Sequence, residues 1–513
     1  TRVEGGLLTV NGAILRSDTT VADVGIIGGT GTLANLTADA GGVVAPGNAA
    51  NPFGTLTVTG DATFNPDSFL WVRSAVNGTA YSKLKVGGEA ILNGGNVILK
   101  ADQGTWNLRT RLNIVTADGG VTGAFAGSTS DLAFLTPKLT YTDNTVVLTL
   151  LRNDVLISSV GKTPNERSVG GALDVMTAQN TTGDLTLENA ILDGSVANVA
   201  AALSGFTGEV HASLGGVAVS DSRYIRDAML QRGRGAPANE TEGRGVNAWA
   251  SGVFGNGEFD GDNELAGYRS DSTGYLAGLE KAWSGRAHLG LAVGETRTEI
   301  TANSLRSSGT ARNQHIGLYG GMNAGAFALR VGGSWIDANL RTNRTAALNQ
   351  FSNQLTGHYD GKGWQAYGEI AWRASFGAST IEPYANYTRV DYHADVAEVG
   401  GDAALSGRVE QVTAGFRTET ILSQGAGRPT LTAVTHLAWS HDFNDDGPEF
   451  RAKFADGPIF QVAGANIGQD ALLTGLGVNI QANDRTNVEV GYAGVYQDDY
   501  NDNKLFARLN VKF

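Results

Sequence analysis

The chain has 513 residues, a formal net charge of −13 and no cysteine. The acidic balance argues against nucleic acid, because neutralising phosphates takes clustered Lys and Arg, and these gather only in one short stretch around residue 226. The lack of Cys removes disulfides, thiolate metal sites and cysteine nucleophiles, and no run of about 18 apolar residues marks a transmembrane helix, which leaves a crossing by β-strands open.

At this length two or three domains are expected. The 71 glycines against 10 prolines favour β-structure with many tight turns. Thr1 opens mid-pattern with no signal peptide, so residues are expected to precede it.

Residues 1–150 repeat L-x-V-x-G at Leu8–Gly12, Leu56–Gly60 and Leu84–Gly88. Glycine pairs (Gly5-Gly6, Gly28-Gly29, Gly41-Gly42, Gly94-Gly95) end short strands between them. Short strands with Gly turns and no helical pattern predict stacked β-solenoid coils, with a β-sandwich as the alternative. Asn11, Asn35, Asn93 and Asn96 read as turn formers. An open solenoid end exposes unpaired strand edges; Leu112–Asn153, rich in apolar alternation, is placed to cover it.

Between residues 154 and 243 the pattern turns helical. Thr163–Asp174 opens with Thr-Pro, and Leu185–Leu203 spaces Leu187, Ile191, Val199 and Leu203 on one face, which predicts two helices. A third is predicted over Glu209–Arg234, where Leu214, Val217, Ile225 and Ala228 keep helical spacing. Ala212, Gly215, Gly216, Ala218 and Ser222 thin this helix, and Asp221, Arg223, Arg226, Asp227 and Arg232 crowd its second half. Such a helix between solenoid-like and barrel-like regions suggests a plug in a pore; an amphipathic linker helix is the plainer alternative. Arg232–Glu242 reads as a flexible exit.

From residue 244 onward apolar and polar residues alternate. Ala287, Leu289, Leu291 and Val293 oppose His288, Gly290 and Ala292; Phe327, Leu329, Val331 and Trp335 oppose Arg330, Gly332 and Ser334; Ala366, Ile370 and Trp372 oppose Gln365, Tyr367, Glu369 and Arg373. Large apolar residues on one side with Gly and charge on the other suit a lipid-facing barrel around a wet lumen. Tight turns at Ser284-Gly285-Arg286, Asn323-Ala324-Gly325, Gly377-Ala378-Ser379, Gln424–Gly427 and Ala482-Asn483-Asp484 alternate with longer polar stretches near 258–271, 300–310, 341–355, 393–404 and 441–466. These delimit twelve strands, enough to enclose one helix of roughly 10–12 Å diameter. Glu280, Arg330, Glu369, Arg373, Arg417 and Glu419 are then lumenal, and they suit locking a plug better than acid–base catalysis. Trp283, Phe376 and Tyr496 lie near strand ends, where an interfacial aromatic belt belongs. In the last strand Leu505, Ala507, Leu509, Val511 and Phe513 share a face opposite Lys504, Arg508, Asn510 and Lys512.

Motifs for hydrolases, phosphate loops and dinucleotide binding are absent. His436 and His441 are five apart and so face opposite sides of a strand, which disfavours a shared metal. Asp442–Gly447 matches the first half of a calcium loop, but Lys453 stands where the bidentate Glu is needed, and a solvated turn is the better reading. No catalytic, cofactor or metal site is therefore expected in residues 1–513, and no enzymatic activity.

Residues 26–153 resemble the passenger repeat and passenger cap of type Va autotransporters in GGTGTL, VVAPGN, GTLTVTGDATF, KLKVGGEAIL and AFLTPKLTY ending in LTLLRN. TPNERSVGGALD, then LSGFTGEVHASLGG and DSRYIRDAMLQR, resembles the linker of that family, so the resemblance covers nearly the whole chain. It implies an all-β protein with a short α segment: a right-handed parallel β-helix end over 1–153 with an autochaperone-like cap, an α-helical linker and plug over 154–243, and a 12-stranded antiparallel transmembrane barrel over 244–513. Val219–Gln231 would be the intralumenal helix, with Arg223, Arg226 and Asp227 pairing with inner-wall charges. Phe513, with Leu509 and Val511 behind it, resembles the outer-membrane insertion signal read by the barrel-assembly machinery. Relatives that cut themselves in the pore use an asparagine; residues 210–232 contain none, so that reaction is not expected. The function implied is a translocator in the bacterial outer membrane, expected to be a monomer, with lipid, the assembly machinery and its own passenger as partners. The alternatives are a surface adhesin with host ligands, the anchor of an enzyme whose catalytic part precedes Thr1, and a simple porin.

Overall fold

The computed structural model describes residues 1–513 except 103, 105, 107–108, 180–185, 193, 233–245, 284–286, 349–350, 399–400, 426–427, 445–446, 455–456 and 466–468. Two compact units are present. The first comprises Thr1–Val160, Met176–Ala202 and Ala347–Ser352, and the second Gly161–Val175, Leu203–Ala346 and Asn353–Phe513.

In the first unit three short strands make one coil of a parallel solenoid. Thr32–Leu33, Leu36–Ala38 and Val43–Pro46 form one coil; Thr55–Val58, Ala62–Phe64 and Phe69–Ser74 form the next; Lys83–Val86, Ala90–Asn93 and Asn96–Ala101 form a third. Equivalent strands pair in parallel, Leu84 over Leu56 and Val86 over Val58. Alternate residues therefore stack inward, and Leu33, Leu56, Leu84, Phe64, Leu70 and Val97 are fully buried. At the corner before Asn96, Gly94 and Gly95 take φ of 122° and 78°, a region in which a side chain is strained.

The parallel register rules out the sandwich alternative. The repeats at Leu56 and Leu84 mark one face of successive coils, but the repeat at Leu8 does not: Arg2–Thr9 pairs with Thr19–Gly29 on another face. The pentapeptide encodes only a strand ending at a Gly turn, and any face of a coil can end that way. The cap also starts later than Leu112. Arg111–Ala117 is still a parallel rung on Lys83–Val86, and the antiparallel hairpin Leu135–Thr142/Thr145–Arg152 lies against it and covers the open edge.

The helical region holds α1 (Pro164–Gln179), α2 (Thr186–Leu192), α3 (Val196–Thr207) and α4 (Glu209–Arg232). The stretch expected as one helix over Leu185–Leu203 is two, with Gly194 and Ser195 between them. Among the described residues no helix is long and apolar enough to cross a membrane.

The second unit is built on twelve antiparallel strands: β1 (Val246–Phe259), β2 (Tyr268–Trp283), β3 (Ala287–Ala302), β4 (Ser307–Ala324), β5 (Phe327–Leu348), β6 (Phe351–Trp372), β7 (Ser379–Glu398), β8 (Gly401–Gly425), β9 (Arg428–Asp442), β10 (Asp470–Asn483), β11 (Thr486–Tyr496) and β12 (Tyr500–Lys512). Each pairs with its neighbours, and the ring closes where β1 meets β12, from Asn247 opposite Lys512 to Phe259 opposite Tyr500. Large apolar side chains point out: Phe254, Leu291, Ile316, Trp335, Ile370 and Leu505 are each about 60 % exposed or more. The inner face carries buried Glu280, Arg330, Gln365, Glu369, Arg417 and Lys504. Trp283 and Phe376 are exposed at strand ends, whereas Tyr496 is half-buried, its hydroxyl hydrogen-bonded to that of Tyr492 on its own strand and to Asn503.

The stretches near 341–355 and 393–404 are not loops. β5 and β6 each run 22 residues and β8 runs 25, far beyond the roughly 9–11 that a bilayer needs. The polar ends of β7 and β8 pair as an extended hairpin as far as Glu398 opposite Gly401, so alternation stops being apolar without the strand stopping. The 441–466 stretch likewise contains a hairpin, Glu449–Lys453/Ile459–Ala463, whose first strand adds to β8. Tight turns join β4 to β5 at 325–326 and β10 to β11 at 484–485, and a third precedes β7 at 377–378. The turn expected at Ser284–Arg286 lies outside the described residues, as do the second half of the one at Gln424–Gly427 and part of the Asp442–Gly447 turn.

Inner-face glycines have a use visible in the register. The buried rings of Tyr319, Tyr367, Tyr392, Trp249 and Phe506 lie over Gly290, Gly332, Gly361, Gly278 and Gly491 on adjacent strands, where an added Cβ would collide with the ring. Tyr319 cannot swing aside, since its hydroxyl accepts from Trp249 Nε1 at 2.8 Å and donates to Glu280 at 3.1 Å. Gly290→Val is expected to cost ~1–3 kcal/mol by overpacking, read as a lower midpoint for loss of the compact band on heat-modifiability gels. Gly368→Ala, with nothing within 4 Å of its Cβ, should leave the midpoint unchanged.

Candidate functional site

The site is the occupied lumen. α4 runs inside the ring, and 18 of its 24 residues are buried. Its fit follows from small residues: Gly215 and Gly216 let Leu405 and Pro448 approach to where a side chain would stand, and Met229 presses on Gly317 of β4. At its lower end Tyr224, Ile225, Ala228, Met229 and Leu230 pack with Trp249, Val253, Leu276, Tyr319, Tyr367 and Phe506 into one apolar cluster.

Above and around that cluster the helix is tied to the wall by polar groups. Asp221 accepts from Thr298 Oγ1 of β3, itself 2.8 Å from Ser272 Oγ. Arg223 pairs with Asp502 of β12, and Asp227 with Lys504 two residues further on, at 2.9 Å. Arg226 donates to Gln365 Oε1 at 2.9 Å, while Gln365 Nε2 donates to the Ser222 carbonyl at 2.8 Å. Arg232, the last helical residue, forks onto Glu280 and reaches Asn510. Lys504 also sits 4.9 Å from the Tyr224 ring centroid. Beside the helix remain two cavities of about 150 and 130 Å³, the first lined by Asp227, His436, Tyr492 and Arg508, the second by Gly216, Ser220, Gln411 and Tyr500.

A second charge cluster links wall strands to one another. Arg330 of β5 and Arg417 of β8 each contact both Glu369 of β6 and Glu382 of β7, at 2.6–3.1 Å. Arg373 adds a contact to Glu382 at 3.2 Å. Arg417 also stacks over Tyr384, 3.5 Å from its centroid. Four strands are thus cross-linked, and every carboxylate in the cluster faces a cation.

Of the expected lumenal charges, Glu280 pairs with a cation of α4, Arg232. Arg330, Glu369, Arg373 and Arg417 tie the wall to itself, and Glu419 lies half-buried two residues beyond Arg417. The partners of Arg223, Asp227 and Arg226 are Asp502, Lys504 and Gln365, and the pairing of Arg226 is with an amide rather than a charge. Asp502 was legible: it lies in phase with Lys504, Phe506, Arg508 and Asn510 on the inward face of β12. Glu382 carries the same signal, in phase with Tyr384, Asn386 and Thr388. Leu509 and Phe513 are exposed on the outer face, Val511 is half-buried, and the Phe513 N–H donates to the Val246 carbonyl at 3.1 Å. His436 bonds Tyr384 at 2.6 Å and His441 bonds Asp470 at 3.0 Å, so the two histidines serve different neighbours.

Several known proteins are similar to this chain. Residues 248–493 match the family model described as autotransporter beta-domain. Over 569 aligned residues the chain is 27 % identical to an extracellular serine protease of Serratia marcescens, and 26 % identical to a second of the same description and organism. All of this chain is covered, but it spans only 54 % of each relative, about half their length. Among solved structures, the translocator domain of the autotransporter NalP from Neisseria meningitidis aligns over 59 % of this chain and 99 % of its own, at 13 % identity and a TM-score of 0.47. The beta domain of the Bordetella autotransporter BrkA aligns over 52 % and 98 %, at 15 % identity and 0.39.

Arg223→Ala would leave the Asp502 carboxylate buried without its cation. Breaking such a pair costs ~3–5 kcal/mol, and the expected result is faster amide hydrogen exchange along α4 with the wall strands unchanged. Arg417→Ala should do the reverse, loosening β6–β8 while α4 keeps its protection.

Proposed function

We propose, on the premise that residues 248–493 are an autotransporter β-domain, that α4 is the resting plug of the pore and that the solenoid drives its own export. The barrel itself is an outer-membrane translocator that carries its passenger to the cell surface. The observation that carries the plug reading is the burial of α4 inside a closed ring with ion pairs at both Asp227 and Arg232. An ordinary linker helix would have no reason to match inward charges on β2 and β12.

β12 ends in an outward apolar row closed by Phe513, which suits recruitment of the barrel-assembly machinery. The ring closes around the chain, and the passenger leaves with its C-terminal coils foremost. Each coil that stacks on the hairpin-capped end outside buries apolar side chains such as Leu84 and Leu56, which biases motion outward without ATP. When the passenger is out, α4 settles into the lumen and its charges find their partners.

A second reading concerns the cargo. The relatives' description as extracellular serine proteases, with the chain spanning about half their length, favours a barrel that anchors a proteolytic passenger whose active part lies outside these 513 residues. Labelling of the intact protein on its native cell surface by a serine-directed fluorophosphonate probe would support that cargo.

Removing residues 210–231 should convert the folded barrel into an ion channel in planar bilayers, with conductance several-fold above that of the full chain. Equal conductance would refute the plug. Deleting Phe513 should lower the amount of folded barrel in the outer membrane several-fold, and normal insertion would refute its role as the recruiting residue.

A further inference from the structure

Asn165 lies at the start of α1, in a helix N-terminus fixed by a reciprocal capping box. Thr163 Oγ1 accepts from the Glu166 N–H at 3.1 Å, and Glu166 Oε2 accepts from the Lys162 and Thr163 N–H groups at 2.7 and 3.3 Å. Pro164 takes the first helical position, where no N–H is needed. The cap aims Asn165 and Ser168, one turn apart, at the free edge of the hairpin strand Ile459–Ala463. There Asn165 mimics a strand residue: its Oδ1 accepts from the Ala463 N–H at 2.8 Å and its Nδ2 donates to the Ala463 carbonyl at 2.9 Å. Ser168 Oγ accepts from the Gln461 N–H at 3.1 Å. The edge that the hairpin would otherwise expose is thereby closed.

The second Nδ2 hydrogen of Asn165 goes to Glu209, the first residue of α4, at 2.9 Å. Glu209 in turn accepts from the Ala266 N–H of the 260–267 loop at 2.7 Å. The hairpin also grips α4 directly. Phe450 stacks on His211, centroids 4.6 Å apart and planes 19° apart, and His211 Nδ1 is 3.0 Å from Tyr359 Oη. Gly464, just after the hairpin, lies so close that a Cβ would come 2.5 Å from the Ala212 backbone. Asn165 and Glu209 are 44 residues apart, yet one amide joins both to the same hairpin.

We propose that Asn165 is a positioning residue for the resting state of translocation: it clasps the start of the linker, the surface hairpin and the N-terminus of α4 into one joint that holds the helix in the pore from outside. This rests on the plug reading. The joint is tuned by its surroundings. Glu209 sits at the level of the 260–267 loop, beyond the ends of β1 and β2, and burial pushes its carboxyl up to about 7. Facing it are Glu166 of α1 and Asp262 of the loop, with Glu258, Asp260, Glu264 and Arg269 lining the same cavity and His211 two residues along α4. Burial and the two neighbouring acids favour the uncharged carboxyl, the hydrogen bonds from Asn165 and the Ala266 N–H favour the charged one, and the uncharged form is lost as pH rises through about 7.

The test uses the full chain in planar bilayers. Asn165→Ala should raise the frequency of channel openings about tenfold at any pH between 5 and 8. Asn165→Asp places a second carboxyl against Glu209; it should open often at pH 8 and fall towards the unmodified chain at pH 5, where the two acids share protons. A folding defect would not reverse with pH in this way, and heat-modifiability gels verify the ring in each variant. Because the chain has no cysteine, Ser168→Cys with Gln461→Cys in the Asn165→Ala background supplies a single crosslink, whose oxidation should suppress openings and whose reduction should restore them. Asn165 variants with the quiet baseline of the unmodified chain, or a crosslink that fails to form or leaves openings unchanged, would overturn the clasp. Removal of residues 210–231 in parallel separates the two readings: if that deletion opens the pore and Asn165→Ala does not, the plug stands and the clasp falls.

Discussion

Backbone pairing in a solvent without water is the constraint from which the C-terminal unit follows. An N–H or C=O left unpaired in hydrocarbon costs several kcal/mol, so a sheet that crosses a membrane must have no edge. Here the edge is removed by β1 and β12, strands more than 240 residues apart in the chain, which pair from Asn247–Lys512 to Phe259–Tyr500. Once the ring is closed, period-two alternation does the rest: Trp335 and Ile370 face lipid, while Ser334 and Glu369, one residue away on the same strands, face the lumen. α4 lies inside this ring of twelve strands, with 18 of its 24 residues buried.

The buried charges divide by what they join. Arg223, Asp227 and Arg232 link helix to wall, whereas Arg330, Glu369, Glu382 and Arg417 link four wall strands to one another. The distinction bears on the proposal that the pore passes a chain and then closes. Wall-to-wall charges are satisfied whether or not the lumen is occupied, so they hold the ring's shape throughout. Helix-to-wall charges fix α4 in one register in the lumen without demanding that the lumen be apolar. The glycines under buried aromatic rings serve the wall in the same way, by letting Tyr319 or Tyr367 lie flat against the neighbouring strand.

Much of this was legible in the residues because alternation is a strong signal when one face must be greasy. Ala287–Val293 and Phe327–Trp335 gave the facing of their strands directly, and small residues such as Gly215 and Ala218 marked α4 as a helix thin enough to enclose. What was hidden lies where lipid stops dictating. The outer halves of β5 to β8 leave the membrane, so Arg341 or Asn343 can sit on a strand that sequence reads as a loop. The hairpin at Glu449–Ala463 is masked for the same reason, and with it the reach of Asn165 to Ala463. Partner choice was hidden differently: alternation told that Arg330 and Arg417 point inward but not that they share Glu369 and Glu382, which depends on the stagger between strands.

The central claim is that the apolar face of the ring is its outer one, and acyl-chain quenching tests it most directly. Full-length variants keeping a single tryptophan, Trp335 at 65 % exposure or Trp249 at 3 %, would be reconstituted in bilayers of brominated lipid. Strong quenching of Trp335 with Trp249 left bright is the expected result; a quenched Trp249 beside a protected Trp335 would mean that the strands face the other way and that the account is wrong.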